Sequence, residues 1–454
     1  MCNGSIADKI LLFALPLMAS SLLQLLFNAA DVVVVGKFAG KEALAAVGSN
    51  TALINLLINL FVGLSVGTNV VVARDLGAGR HDNVSRSVHT SMTLALISGV
   101  VMTVFGTVMV RQLLEWMSSP TDVIDLATVY LRIYFFGMPA LLTYNFGAAI
   151  LRAQGDTRRP LYFLFLSGVV NVVLNLFFVI VLHMDVAGVA LATVLAQTIS
   201  AILCLWKLLR MRDVFDLTLH YLKPCSAPIA NIIRIGVPSG ITQAIFSVAM
   251  LVVQSLTNSF GEMVIACNVI VMRVDGFAMM PNFTFGQAMT TYTGQNVGAR
   301  RLDRVHQGAK QGTWIAVGIS AFLTALILLF GRQLMGVFTE TAVLVDLSMR
   351  MMQILAFGYI AMSITQCLSG VMRGAGDTMT PMWISIITTV VLRVPIAYGI
   401  AFFTRSAEYP TGRPESTFIS LLVSWSLGAL LTAVAYRFGA WRKRLATAEP
   451  APQL

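Results

Sequence analysis

Gln24, Asn28 and Asp31 lie at i, i+4 and i+7, a spacing that gathers three polar side chains on one stripe of a helix. The stretch around them, 10–35, is otherwise almost wholly Leu, Ala, Val, Phe, Met and Ile, and is long enough to cross a bilayer. A carboxylate there costs about 2.5–3.5 kcal/mol to insert, so it marks a path for a proton, a cation or a substrate, or else an acid with a buried structural partner. The chemistry on offer is reversible binding of a cation.

Other polar groups recur at helical spacing in apolar runs: Thr51, Asn55 and Asn59; Ser167, Asn171 and Asn175; then Thr193 and Gln197. Interhelical hydrogen bonds worth about 0.6 kcal/mol each explain any single one. Their concentration in the half that holds Asp31 points to a joint site. In the other half, Gln243, Ser247, Gln254 and Asn258 line one run, and Met279, Met280, Phe283, Phe285 and Met289 the next. Flexible thioethers and aromatic faces suit a surface that takes varied ligands, and equally suit plain packing. Arg273 and Asp275, at i and i+2, face different sides of a helix, so Asp275 is expected to pair with Arg393 from another run as a structural ion pair.

Catalysis finds no support. No run pairs His with Ser, Cys or Glu as base and nucleophile, the five cysteines (Cys2, Cys204, Cys225, Cys267 and Cys367) form no CxxC, and no HExxH occurs. The reading is therefore no catalytic residue, no metal site and no cofactor.

These side chains need a membrane scaffold to position them. Of 454 residues, 57% are hydrophobic and only 11% charged, against about 25% charged in soluble domains. The chain reads as an all-α integral membrane protein. Twelve spans are expected, near 10–35, 46–73, 88–110, 123–151, 160–183, 187–206, 235–260, 264–293, 312–330, 343–372, 381–403 and 417–437. The first apolar run is too long for the core of a signal peptide, so it is expected to be retained. The net charge of +10 does not point to nucleic acid, because 21 Lys and Arg fall in loops on the N-terminal side of the membrane and 6 on the other. That asymmetry places both termini in the cytoplasm of a multi-pass protein of the plasma (inner) membrane.

The longest cytoplasmic connection divides the spans six and six. This gives an N-terminal six-helix lobe (1–212), a linker (213–230), a C-terminal six-helix lobe (231–440) and a cytoplasmic tail (441–454). The halves repeat. Leu151-Arg-Ala-Gln-Gly-Asp-Thr-Arg-Arg-Pro160 matches Met372-Arg-Gly-Ala-Gly-Asp-Thr-Met-Thr-Pro381, and Leu76-Gly-Ala-Gly79 matches Val297-Gly-Ala-Arg300, both 221 residues apart. Six spans per repeat start both halves on one side of the membrane, which implies a pseudo-two-fold axis along its normal and suits an alternating-access transporter. In R-x-x-G-D-T, Gly allows the turn and Asp or Thr caps the next helix. Arg152, Asp156, Arg373 and Asp377 are accordingly read as structural, with room for gating salt bridges.

On these motifs the chain resembles the multidrug and toxic compound extrusion (MATE) family. The resemblance is carried by Asn28-Ala-Ala-Asp31-Val-Val-Val-Val-Gly36, Gly77-Ala-Gly79, Leu151 to Thr157 and Gly188-Val-Ala-Leu-Ala192-Thr193 in the first half. Arg273-Val-Asp275, Gly294-Gln-Asn-Val-Gly298-Ala and Met372 to Thr378 carry it in the second. It implies a two-lobed fold of twelve helices that exports organic cations and other toxic compounds in exchange for H+ or Na+.

The family's coupling acid falls on Asp31, with Asn28 on its stripe. The companions found in DinF-like members fall on Asn171, Asn175 and Thr193. Asn175 stands where such members carry a second carboxylate, and 241–254 and 357–372 lack the acids of NorM-like members. The chain therefore looks closer to the DinF-like branch, with the coupling ion left open. Gln24, Asn55, Asn59, Gln243, Gln254, Met280 and Phe283 are candidates for contact with an amphiphilic, cationic small molecule. The expected partners are that substrate and the lipid bilayer, with no obligate protein partner, so a monomer suffices. A lipid or oligosaccharide flippase of the same superfamily is the alternative, and an intramembrane enzyme a remote one.

Overall fold

The computed structural model describes residues 1–116, 123–211, 214, 215, 217, 225–439, 441 and 442, with the side chains of 41, 44, 45, 48–53 and 56 left aside. The side chain of Thr51, most of the expected linker and nearly all of the expected tail lie outside the described residues. Among the described residues there are fifteen α-helices and three π-turns, and no strand. Ten helices are long and apolar enough to cross a bilayer. Two bent pairs, α4 with α5 (Ile124–Phe136 and Met138–Ala153, 49°) and α11 with α12 (Ala342–Ala356 and Gly358–Gly374, 41°), bring the spans to twelve. These are the fourth and tenth expected spans, each broken at the same place in the repeat.

The chain separates into two compact units, Leu15–Gly240 and Met1–Ala14 with Ile241–Leu454. The division differs from one at a linker over 213–230. It falls inside α1 (Ile6–Val34) and α8 (Ser226–Ser259), beside Pro16 and Pro238, where a missing N–H interrupts the helical ladder.

The N-terminal unit contains α1 from Leu15 on, a π-turn at Val35–Ala39, α2 (Gly40–Gly77), α3 (His81–Trp116), α4, α5, α6 (Arg158–Leu176), a π-turn at Phe177–Val181, α7 (Asp185–Leu209) and the start of α8. Ala127, Leu131 and Phe135, one turn apart on α4, are fully buried against α3 residues such as Val110 and Leu114. Glycines let backbones touch. A Cβ at Gly63 of α2 would sit 2.1 Å from the Gly240 nitrogen of α8, and one at Gly67 would sit 2.4 Å from the Ile232 carbonyl oxygen. Two G-x-x-x-G faces thus meet, the small-residue packing that substitutes for a hydrophobic driving force between helices in lipid.

The C-terminal unit contains Met1–Ala14, the rest of α8, α9 (Glu262–Gly298), α10 (Leu302–Gly336), α11, α12, α13 (Met379–Ile386), a π-turn at Ile387–Leu392, α14 (Arg393–Phe403) and α15 (Glu415–Phe438). Its core gathers Val271 and Val274 of α9 with Met351, Met352, Leu355, Tyr359 and Trp425. The first residues are tied down here: Arg301 Nη1 donates to the Cys2 carbonyl at 2.7 Å and Arg304 Nη2 to the Gly4 carbonyl at 3.1 Å.

The repeat extends to the backbone. Left-handed φ values recur at Gly40 and Gly261 (92° and 95°), Gly79 and Arg300 (69° and 57°), and Gly155 and Gly376 (93° and 82°). After the last pair, Asp156 Oδ1 accepts the Arg159 N–H and Asp377 Oδ1 the Thr380 N–H, each at 3.2 Å, so it is the aspartate that caps the following helix. Asp156 pairs with Arg159 at 2.8 Å, and neither Arg152 nor Arg373 makes an ion pair among the described residues.

Candidate functional site

Helix α6 is amphipathic in the sense a membrane requires. Ser167, Gly168, Asn171 and Asn175 are buried, while Val169 and Val173 on the opposite side are exposed. Asn171 and Asn175, four residues apart, therefore share the inward stripe. Gly168 lets α1 come close on that stripe, since a Cβ there would fall 1.8 Å from the Phe27 ring. This approach brings Asp31, one turn before the first π-turn, onto Asn175, which lies just before the second. π-turns inside helices are frequent at functional sites because they re-aim the side chains next to them.

The result is a continuous polar chain. Asn175 Nδ2 donates to an Asp31 carboxylate oxygen and, at 3.0 Å, to Asn171 Oδ1. Asn171 Nδ2 donates to Thr193 Oγ1 at 3.3 Å, and the Thr193 hydroxyl donates to the Val189 carbonyl at 3.0 Å. Both Asn175 amide hydrogens are thus committed, while its buried Oδ1 has no protein partner. The free acceptors at the centre are this oxygen and the carboxylate itself, a donor set of hard oxygens with one negative charge. Such a set can hold a proton on the acid or a small monovalent cation.

Two residues that spacing alone did not single out border the cluster. Tyr130 and Tyr134 lie one turn apart on α4 with rings stacked 6.1 Å between centroids. Tyr130 is within electrostatic reach of Asp31, and Tyr134 faces Gln197 of α7. Two hydroxyl-bearing rings at i and i+4 in an apolar run are the signal that could have found them.

Asp31, Asn171, Asn175 and Thr193 are therefore brought together, whereas the other expected residues are not part of the cluster. Gln24 and Asn28 are exposed on α1 and make no hydrogen bond among the described residues, Asn55 is exposed on α2 and Asn59 half-buried there. In the C-terminal unit Gln243 and Met280 are half-buried and Phe283 is exposed. Gln254 belongs to a separate network: Asn268 Nδ2 donates to its Oε1 at 3.2 Å, and its own Nε2 donates to Asn258 Oδ1 at 2.8 Å.

The expected ion pair of Asp275 with Arg393 is absent as a contact. Asp275 instead accepts the Tyr359 hydroxyl at 3.0 Å, and Arg393 stays within electrostatic reach without approaching to 4 Å. A phenol on α12 reaches the carboxylate first. Arg273 is exposed.

The MatE family model matches residues 16–177 and 238–399, one copy in each half. The probable multidrug resistance protein YoeA of Bacillus subtilis is 29% identical over 446 residues, covering 96% of this chain and 94% of that protein. Among solved structures, MATE in the bent conformation superposes with a TM-score of 0.90 at 26% identity, covering 98% of both chains. The outward-facing conformation of a multidrug resistance MATE family transporter of the MOP superfamily gives 0.88 at 27%, covering 98% and 97%.

Proposed function

The chain belongs to the MatE family of multi-pass membrane transporters and is not an enzyme, and from that premise we propose that it exports amphiphilic organic cations and other toxic compounds in exchange for H+ or Na+. The observation that supports this reading most is the Asp31–Asn175–Asn171–Thr193 chain with its uncommitted Asn175 oxygen. With the site open to the outside, Asp31 takes up the cation and the substrate is released. With the site open to the cytoplasm, the cation leaves and substrate binds. Exclusion of the doubly occupied state couples the two fluxes, since only a difference in affinity between states can transmit energy between ligands. Both termini lie in the cytoplasm in this reading, and a single chain performs the whole cycle.

The test is efflux of a fluorescent cation from proteoliposomes under a pH gradient and, separately, a sodium gradient. Asp31→Asn is expected to abolish gradient-driven efflux while inserting normally. Uphill transport at the wild-type rate by that variant would refute the mechanism. Whichever gradient drives the wild-type protein identifies the ion.

A further inference from the structure

The fourth span bends by 49° between α4 and α5. Pro139, the second residue of α5, accounts for the break. It has no N–H to give to the carbonyl four residues back, that of Phe135, and its ring crowds the helix there. The carbonyl takes a donor from another helix instead: Thr103 Oγ1 on α3 donates to it at 2.8 Å.

One stripe of α3 is shaped to receive this break. Gly99, Thr103 and Gly106 lie at i, i+4 and i+7. A Cβ on Gly99 would fall 2.5 Å from the Pro139 Cα, and one on Gly106 2.2 Å from the Phe135 ring. Two absent side chains thus seat the proline and the phenylalanine, and the hydroxyl between them holds the carbonyl. Thr103 Oγ1 also lies 3.0 Å from the Gly99 carbonyl of its own helix. With one hydrogen and two acceptors, it can let go of Phe135 without becoming an unpartnered donor.

The bend aims two aromatic side chains. Tyr130 and Tyr134, buried and stacked on α4 just before the break, border the Asp31 cluster, Tyr130 within electrostatic reach of the acid and Tyr134 facing Gln197. Tyr134 adjoins Phe135 in the chain, so a hold on the Phe135 carbonyl is a hold on the pair. The second half repeats the device. Thr324 and Ala356 lie 221 residues beyond Thr103 and Phe135, and Thr324 Oγ1 donates to the Ala356 carbonyl at 2.8 Å, at the bend of the tenth span. Beside that bend, too, a tyrosine reaches an acid, Tyr359 donating to Asp275 at 3.0 Å. Ile360 stands there in place of the proline, so the threonine is what the two bends share.

We propose that Thr103 is a positioning residue of the Asp31 site: its hydroxyl holds the bend of the fourth span and thereby keeps Tyr130 and Tyr134 beside the carboxylate. That this site couples ion to substrate rests on the exporter reading; the hold of Thr103 on the tyrosines does not.

The experiment takes two readings on the purified full-length protein. Hydrogen exchange over residues 134–141 reports the bend. Labelling of Asp31 by dicyclohexylcarbodiimide, followed against pH by mass spectrometry, reports the surroundings of the acid. Thr103→Val is expected to speed both at least about fivefold, the factor that one buried hydrogen bond carries at equilibrium. Thr103→Ser, which keeps the hydroxyl, should match the wild type. Thr324→Val should loosen the tenth span and leave Asp31 labelling unchanged. Should Thr103→Val fail to fold, Thr103→Cys, a weaker donor, is expected to move both readings the same way by less. Unchanged exchange at the bend, faster exchange with unchanged Asp31 labelling, or Thr103→Ser behaving like Thr103→Val would overturn the proposal. So would Thr324→Val altering Asp31 labelling as strongly. Transport plays no part in either reading, so the positioning role and the export reading can each fail alone.

Discussion

Gly63→Ala is a sharp perturbation because the added methyl meets only backbone. Its Cβ would lie 2.1 Å from the Gly240 nitrogen, 2.2 Å from the Gly240 Cα and 2.8 Å from the Gly236 carbonyl oxygen. No rotamer change relieves contacts of that kind, so the two helices must separate by about 1 Å at the crossing. A gap of 0.5–1 Å forfeits roughly a quarter to a half of each dispersion contact along the seam, and overpacking of this type costs about 1–3 kcal/mol. For a unit of this size each kcal/mol lowers the melting temperature by about 2–4 °C. The expected loss is therefore on the order of 2–12 °C in a thermal-shift assay of the purified protein. Gly318→Ala, with nothing within 4 Å of its Cβ in α10, is the matched control. Alanine gains about 1 kcal/mol of helix propensity there, so its melting temperature should hold or rise. An unchanged melting temperature for Gly63→Ala, or equal losses for both variants, would refute the close-packed glycine seam.

Gly155→Ala separates strain from space: nothing lies within 4 Å of its Cβ, yet its φ is +93°. It should cost about 1–2 kcal/mol through the backbone alone, read as a melting temperature several degrees lower. Thr193→Val keeps the shape of the side chain but removes the acceptor of the Asn171 amide, an unsatisfied buried donor worth about 1–3 kcal/mol. Gradient-driven efflux should slow at least about fivefold, and an unchanged rate would remove Thr193 from the coupling site.

Much of this was legible because lipid simplifies the code. An apolar run of about twenty residues is a span, and a polar residue within it needs a reason. Asp31, Asn171, Asn175 and Thr193 could be picked out on that logic together with the family pattern, and the structure joins them. Gln24 and Asn28 share the stripe of Asp31 without joining its cluster, because periodicity says which residues share a face and not which neighbour that face meets. Only the Gly168–Phe27 approach decides that α6 meets the Asp31 end of the stripe. The three π-turns were invisible for a related reason, since each depends on which carbonyls and side chains compete in three dimensions. The Asp275–Arg393 pairing failed because opposite charges in neighbouring spans need not touch when a phenol lies nearer. The boundary between lobes was sought in a polar linker; the two compact units divide beside Pro16 and Pro238, inside helices.

The left-handed turns at 40, 79 and 155 recur at 261, 300 and 376, the same 221 residues later each time. Equal spacing across three separate loops means that the stretch from the first turn to the third has the same length in both halves, 40–155 and 261–376. Over that stretch the halves differ by residue type and not by length. Arg300 stands where the other half has Gly79, on a backbone that takes a positive φ in both. The two halves thus keep the spacing of their turns to the residue.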